Sequence, residues 1–131
     1  AAEGAAAATS TRLSVTPHED VYEPLKRNQA LLDVFARNLG AAGLAEGPAA
    51  PDRIASSDIG NVSQVTPTIH AWVAIAPLGT AIHTRDFAAA AAAPSARAGL
   101  LAGAKLMALS AVDLLVDPAL VNGMKEEFAR R

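Results

Sequence analysis

The chain has 131 residues, of which 51% are hydrophobic, 4% aromatic and 18% charged, with a formal net charge of −2 and no cysteine. This length favours a single domain, and the composition is far from that of a disordered chain. The small net charge gives no electrostatic reason to expect nucleic acid or an anionic membrane surface as a partner. The lack of cysteine excludes a disulfide framework and a thiolate zinc site, and it fits a reducing compartment.

The apolar content comes largely from alanine, which buries little area. The core is therefore expected from scattered Leu, Ile and Val together with Phe35, Trp72 and Phe87. Residues 59–84 carry no formal charge, but prolines, glycines and polar side chains interrupt them, so no membrane span is expected. The N-terminus has no basic segment followed by a strongly apolar one, so no signal peptide is expected either.

The first half of the chain predicts a helix end, a strand and a helix. Residues 1–10 are alanine-rich, as at the end of a helix. In residues 11–16 apolar and polar side chains alternate, which predicts a short half-buried strand. A polar connection follows. Asn28 is the predicted N-cap of a helix whose apolar residues recur at helical spacing and which is stopped by glycines, the last of them Gly43.

The second half predicts strands enclosed by helices. Residues 54–57 favour a very short strand, and residues 69–76 (IHAWVAIA) a strand buried on both faces, as in α/β sheets. Thr84 is the predicted cap of a short helix, and a long helix over residues 96–116 is apolar nearly all round, which indicates burial between layers. Asp117, followed by proline, predicts the start of a last helix.

Four polar residues stand out as candidates for chemistry. His83 follows the main strand and precedes a helix, although a lone histidine is often a hydrogen-bonded structural residue. His70 begins the strand and has the same alternative. Asp58 and Asn61 lie in a Ser-Ser-Asp-x-Gly-Asn turn, where both types commonly bond their own backbone. The sequence contains no H-E-x-x-H, no G-x-S-x-G and no glycine loop for phosphate, and the adjacent Glu126-Glu127 pair indicates a solvated helix face.

Three runs of this sequence resemble the carboxyl-terminal part of the di-metal amidohydrolase, aminoacylase and dipeptidase family of metallopeptidases: SSDIGNVSQVTPTIHAWVAI, GTAIHTRDFAAAAA and GAKLMALSAVDLLVDPALVNGMKEEF. The most similar branch holds aminobenzoyl-glutamate hydrolase and the β-alanyl-lysine type dipeptidases. EGAAAATSTRLSV is similar to the end of the family's small lid domain. The resemblance implies an α/β fold with three parts: the tail of the lid or dimerisation domain in residues 1–16, a connection in 17–27, and the C-terminal part of a zinc-exopeptidase-like catalytic domain in 28–131.

Position within these runs implies a role for each candidate. His83 corresponds to a ligand of the family's second metal ion, whereas Asp58, Asn61 and His70 correspond to residues beside the cleft and are expected to contact substrate. The implied cofactor is zinc or manganese, two ions in the complete enzyme, which activate a bridging water while a glutamate takes its proton. The family's His-x-Asp motif, bridging Asp, Glu-Glu pair and lid histidine have no counterpart here, so no catalytic residue is assigned.

The expected function is thus part of a metal-dependent amidohydrolase or dipeptidase acting on N-acyl amino acids or dipeptides, and inactive by itself. Expected partners are a small amide or dipeptide substrate, the missing N-terminal part of the enzyme, and a second copy through the lid domain. Neither nucleic acid nor a membrane is expected, and the expected location is cytoplasmic. The alternative is a non-catalytic remnant that acts as a binding or oligomerisation module. Upstream His-x-Asp and Glu-Glu sequence in the same gene would distinguish the two.

Overall fold

The computed structural model describes residues 1–17, 21–47 and 57–130. Within these ranges the chain is helical and contains no strand, although a parallel bridge joins Arg27 and Thr68. The predicted strand at 54–57 lies outside the described residues except for Ser57. Six helices are present in the described ranges, numbered in chain order: α1 (Ala2–Ala8), α2 (Gln29–Arg37), α3 (Ile59–Ser63), α4 (Arg85–Ala92), α5 (Pro94–Val116) and α6 (Pro118–Ala129).

Helix α2 begins where the sequence predicts it to begin. The Asn28 backbone is extended, and its side-chain Oδ1 accepts the N–H of Leu31 at 2.9 Å, which satisfies one of the unpaired donors of the first turn. The helix ends at Arg37. After a further turn the chain leaves through Gly43, whose φ of +76° suits glycine. The predicted cap is confirmed, but the helix ends at Arg37, before the glycines that were predicted to stop it.

Helices α2, α5 and α6 pack against one another and enclose the small core. Each contributes a buried apolar side chain: Val34 from α2 is 2% exposed, Leu106 from α5 is 0% exposed and Met124 from α6 is 4% exposed. Asn28 is also buried, and its Nδ2 donates to the carbonyl of Met124 at 3.1 Å. The N-cap of α2 is therefore also a contact with α6, so one side chain serves local and tertiary structure.

The carboxylate of Glu127 ties α6 to the start of α2. Its two oxygens accept the N–H groups of Gln29 at 2.9 Å and Ala30 at 2.8 Å. A carboxylate at a helix N-terminus is favoured both by these unpaired donors and by the helix dipole. The interpretation of Glu126-Glu127 as a solvated pair is therefore wrong for Glu127, because sequence spacing does not reveal that a distant helix begins beside it.

The connection before α2 lies along α3 and is held by polar contacts. The Asn61 side chain accepts the N–H of Glu23 at 3.2 Å and donates to the carbonyl of Val21 at 2.9 Å. Ser63 Oγ accepts the N–H of Lys26 at 2.9 Å. Gly60 allows this approach, because a Cβ at that position would collide with the carbonyl of Glu23. The two segments therefore run in direct backbone contact.

Residues 69–76 lie against α5 without forming a strand in the described chain. A Cβ on Gly99 would come within 2.8 Å of Ile75 Cγ2 and 2.9 Å of the Ala74 carbonyl, and one on Gly103 within 3.5 Å of Val73 Cγ2. The glycines of α5 thus provide the surface on which this segment rests. A strand requires hydrogen bonds to a neighbouring strand, so the α/β fold class stays a prediction.

Helix α5 is much more exposed than its sequence predicts. Within it only Ala96, Leu106 and Ser110 are buried. Burial between layers is therefore wrong for the described structure, because α2, α4, α6 and residues 73–75 cover one face only. By length and composition alone, α5 could also cross a membrane, and 17% of its most apolar window is buried. The expectation of no membrane stays a prediction.

The N-terminal segment contributes nothing to the core. Helix α1 has no buried residue, and residues 11–16 form no strand. Leu13 is 40% exposed and Val15 is 73% exposed, so the predicted half-buried face is uncovered. The lid-domain interpretation of residues 1–16, and the boundaries drawn at 17–27 and 28–131, therefore stay predictions.

Candidate functional site

His83 occupies an unusual backbone conformation at the turn before α4. Its φ is +62°, in the left-handed region that residues with a Cβ rarely adopt, and its side chain is exposed. The next residue fixes the turn: Thr84 Oγ1 donates to the carbonyl of Ala81 at 2.7 Å and accepts the N–H of Phe87 at 3.2 Å. The predicted Thr84 cap is confirmed, and it positions His83 at the start of α4.

The imidazole of His83 lies at a shallow, largely apolar groove. The groove is formed by Trp72 of the 69–76 segment, the turn before α4 and the first turn of that helix. Apolar walls with a few polar groups are typical of small-molecule sites. We call this surface the His83 groove; its lining residues are Trp72, Ile82, His83, Thr84, Phe87 and Ala88.

His70 reaches the same surface through Trp72. The two rings stack with centroids 5.2 Å apart and an interplanar angle of 27°. Trp72 is 62% exposed and also lines the groove beside His83. A histidine at the start of a strand and one after its end would lie at opposite ends of that strand. Here the tryptophan between them brings both histidines to one surface.

Asp58 and Asn61 lie at helix α3, where their side chains bond to other parts of the chain. Asp58 is exposed and precedes α3 as its N-cap residue, without a capping side-chain bond. Its Oδ1 accepts the hydroxyl of Ser57 at 3.2 Å. The Asn61 amide binds the backbone of Val21 and Glu23, as described above. The predicted turn that bonds its own backbone is therefore wrong at Asn61, which lies within α3 and bonds the backbone of a distant segment. The substrate contacts expected for Asp58, Asn61 and His70 stay predictions.

A metal ion needs more ligands than the His83 groove offers. A catalytic zinc ion takes about three protein ligands and an open position. No group of three or more His, Cys, Asp or Glu side chains that could hold a metal ion occurs in residues 1–17, 21–47 and 57–130. His83 is accessible and can supply one nitrogen. The described side chains therefore do not fit a metal site without further ligands.

Sequence reasoning missed the aromatic part of the groove. Trp72 was expected in the core, yet it is exposed, and Phe87 is half-buried at the groove. The sequence does contain a signal for this surface. Its single tryptophan, Trp72, lies two residues after His70 and eleven before His83. Alternation along an extended segment puts residues 70 and 72 on the same side.

Comparison with known proteins relates the chain to dipeptidases. It is 32% identical to the Xaa-Arg dipeptidase of Mus musculus over 129 residues, which is 95% of this chain and 29% of that protein. It is 30% identical to the Xaa-Arg dipeptidase of Homo sapiens over 115 residues, covering 88% of this chain and 24% of that protein. No family model matches the chain, and no solved structure matches it.

The extent of this similarity is uneven. It includes nearly all of the present chain, yet the chain spans less than a third of the length of the curated relatives it matches. A dipeptidase-like portion is what these matches support. The matches by themselves do not show an activity, a substrate or a partner of this chain.

Proposed function

We propose that the chain forms the carboxyl-terminal wall of the active site in a metal-dependent amidohydrolase or dipeptidase. The observation that carries the proposal is His83, an exposed imidazole held at positive φ beside an apolar groove. Residues kept in sparsely populated conformations cluster at functional sites. The similarity to Xaa-Arg dipeptidases over 95% of the chain supports the same function.

Each residue then has a distinct task. His83 contributes one nitrogen ligand to a zinc or manganese ion whose other ligands come from polypeptide outside these residues. Trp72 and Phe87 form an apolar wall that receives a substrate side chain and limits access of water. His70, stacked on Trp72, orients the indole ring and contacts substrate. Asp58 offers an exposed carboxylate, and Asn61 supports that turn by holding residues 21–23.

The substrate class follows from the relatives' names and from the resemblance. We propose N-acyl amino acids or dipeptides, and the name Xaa-Arg dipeptidase makes an Xaa-Arg dipeptide the first compound to assay. The partner is the N-terminal part of such an enzyme, which supplies the general base and the remaining ligands.

A chimera tests the proposal. In mouse Xaa-Arg dipeptidase, the matched 129-residue segment is replaced by this chain. We expect metal-dependent hydrolysis of an Xaa-Arg dipeptide. His83→Ala should remove about one metal equivalent and reduce kcat/KM by at least ~100-fold, because even residues that only support a ligand cost 10–100-fold.

His70→Ala in the same chimera is the matched control. It should retain full metal content and change mainly KM, because the proposed contact is with substrate. Metal analysis by mass spectrometry decides between the two histidines. A folded His83→Ala chimera with normal metal content would contradict the assignment of His83.

The second candidate function is a non-catalytic binding or oligomerisation module. Two observations favour it: the described residues contain no group of metal ligands, and α5 exposes a large apolar face. A chimera that folds, binds its metal and yet shows no turnover with any dipeptide or N-acyl amino acid would favour this candidate.

A further inference from the structure

One side chain closes the turn that carries His83, and we propose that Thr84 is the positioning residue that holds the His83 imidazole at the His83 groove. The inference rests on the proposed function, because the position of the imidazole matters for activity only if His83 acts in the site. Thr84 takes no part in the chemistry itself. Its hydroxyl acts through the backbone of residues 81–83 and through the first turn of α4.

His83 lies at the second central position of a tight turn. Ile82 and His83 are the central residues of this turn. A positive φ at the second central residue is a feature of type II turns, where glycine or asparagine is usual. His83 has a φ of +62° there, although its Cβ disfavours this value. Interactions outside the residue must therefore hold the turn in this form.

The hydroxyl of Thr84 provides a hydrogen bond that closes the turn. In many β-turns the backbone N–H of the last residue donates to the carbonyl of the first. Here Thr84 Oγ1 donates to the carbonyl of Ala81 at 2.7 Å, so a side chain supplies the donor for that carbonyl. The bond spans His83, because it joins the residue after it to the residue two positions before it. Without the hydroxyl, His83 is free to relax to a negative φ.

The same hydroxyl fixes the helix that contributes the aromatic wall. Its oxygen accepts the N–H of Phe87 at 3.2 Å and thereby caps α4. Phe87 lines the His83 groove together with His83. A single oxygen atom is therefore bonded both to the turn that carries the imidazole and to the helix that carries the phenyl ring. The placement of one ring relative to the other depends on this atom.

A change of φ at His83 would redirect its imidazole. Rotation about the N–Cα bond turns the side chain relative to the preceding chain, which carries Trp72 and Ile82. A return from +62° to helical φ is a rotation of roughly 120°. Active groups need to be held within about 0.5 Å of their working position. Such a rotation would therefore take the imidazole away from the His83 groove.

The alternative is that Thr84 is a helix cap and nothing more. Asp117 is the matched case, because it is also exposed and its Oδ1 accepts the N–H of Ala119 at 2.9 Å at the start of α6. Asp117 lies outside the His83 groove. Its removal therefore shows what the loss of a cap does by itself.

Nuclear magnetic resonance of the full chain tests the geometry. Backbone couplings report φ at His83, and nuclear Overhauser effects report the distance between the His83 ring and the groove residues. Thr84→Val, which lacks the hydroxyl, should lose both the positive φ and the ring contacts, whereas Thr84→Ser and Asp117→Ala should keep them. Thr84→Gly is the second variant without a hydroxyl. Because glycine is tolerated at an N-cap, it keeps α4 helical and should still lose the His83 geometry.

The chimera with mouse Xaa-Arg dipeptidase tests the consequence for activity. Thr84→Val should lower kcat by about 10–100-fold, the range found for residues that only support an active group. KM should not change, because the Thr84 hydroxyl is already bonded within the chain and is not assigned a contact with substrate. Thr84→Ser should restore kcat, and Asp117→Ala should leave it unchanged.

Three results would overturn the proposal. One is a positive φ at His83 that persists in Thr84→Val and Thr84→Gly. Another is an equal loss of the His83 geometry in Asp117→Ala, which would make Thr84 an ordinary cap. The third is a loss of kcat that Thr84→Ser does not restore. An unsubstituted chimera without turnover contradicts the proposed function instead, and the geometry measured in the chain alone then decides whether Thr84 holds His83.

Discussion

His83 has a backbone conformation that its own side chain disfavours. It is one of two non-glycine residues with positive φ in the described ranges, the other being Ser10 at +55°. The left-handed conformation costs a residue with a Cβ about 1–2 kcal/mol relative to glycine. Histidine tolerates it better than most residues. Because Ser10 shares this conformation, it is the combination with the groove beside it that makes His83 a candidate.

His83→Gly is therefore expected to leave the free energy of unfolding unchanged or raise it by up to ~1 kcal/mol, since glycine adopts positive φ freely. His83→Ala should not raise it, because alanine keeps the strain. Urea unfolding of the chain measures both. Ser10→Gly is the matched control at the other positive-φ position. A loss of more than ~1 kcal/mol in His83→Gly would mean that the imidazole is itself a structural contact.

Two adjacent glutamates in α6 differ sharply in what they contact. Glu127 accepts two backbone N–H groups of α2, whereas Glu126 lies 4.0 Å from Arg130 with 71% of its side chain exposed. Glu127→Ala leaves two donors of the first turn of α2 without their partner. We expect it to lower the free energy of unfolding by about 2 kcal/mol.

Glu126→Ala is the control, with an expected change of under ~0.5 kcal/mol, because exposed ion pairs contribute little. Both values come from urea denaturation followed by circular dichroism. Equal losses in the two variants would show that the Glu127 contact with α2 does not stabilise the chain in solution.

At the scale of elements, the confirmed predictions are the helix N-caps, which depend only on residues adjacent in the sequence. Asn28, Thr84 and Asp117 each accept a backbone N–H in the following turn, as their residue types and positions predict. Capping depends on three or four consecutive residues and on little else. The starts of α2, α4 and α6 were therefore accessible from the sequence, whereas α3, which was predicted as a turn, was not.

What the sequence did not predict depends on distant contacts. Residues 69–76 have the composition of a buried strand, but strand pairing needs a partner segment that the local pattern does not identify. The apolar composition of α5 predicts that other segments bury this helix, but it does not identify those segments. At the candidate site, His83 was identified by its place in a run of residues, whereas the shared surface with His70 and Trp72 arises from tertiary packing.

The contact between the 21–27 connection and α3 gives a test at the same scale. Gly60→Ala would bring a Cβ into the carbonyl of Glu23, so either the connection detaches or α3 shifts. We expect a loss of about 2–3 kcal/mol, as for other clashes with backbone.

Gly123→Ala is the matched control, because nothing lies within 4 Å of a Cβ at that helical position. It should raise the free energy of unfolding by up to ~1 kcal/mol through helix propensity. Opposite signs for the two alanines are the expected outcome in urea denaturation. A neutral Gly60→Ala would mean that the connection and α3 are not in contact in solution.

At the scale of the whole molecule, the chain buries few large apolar side chains for its length. Its buried hydrophobic residues, in the ranges described, are Val34, Ala42, Ala96, Leu106 and Met124. Two of these are alanines, and each alanine contributes little to the hydrophobic free energy. Many leucines and valines of α5 remain exposed instead. The apolar residues of α5 therefore add little to the core of the described structure.

The purified chain alone is expected to show no amide hydrolysis. Catalysis of the proposed kind needs about three ligands for a metal ion and a separate general base, and the described residues hold no such group. The assay uses Xaa-Arg dipeptides and N-acetyl amino acids with added zinc or manganese, and compares the chain with His83→Ala and His70→Ala. All three should give the rate of buffer. Metal-dependent turnover that His83→Ala abolishes and His70→Ala retains would contradict this expectation. It would mean that the chain, on its own or as a pair of copies, assembles a complete site around His83.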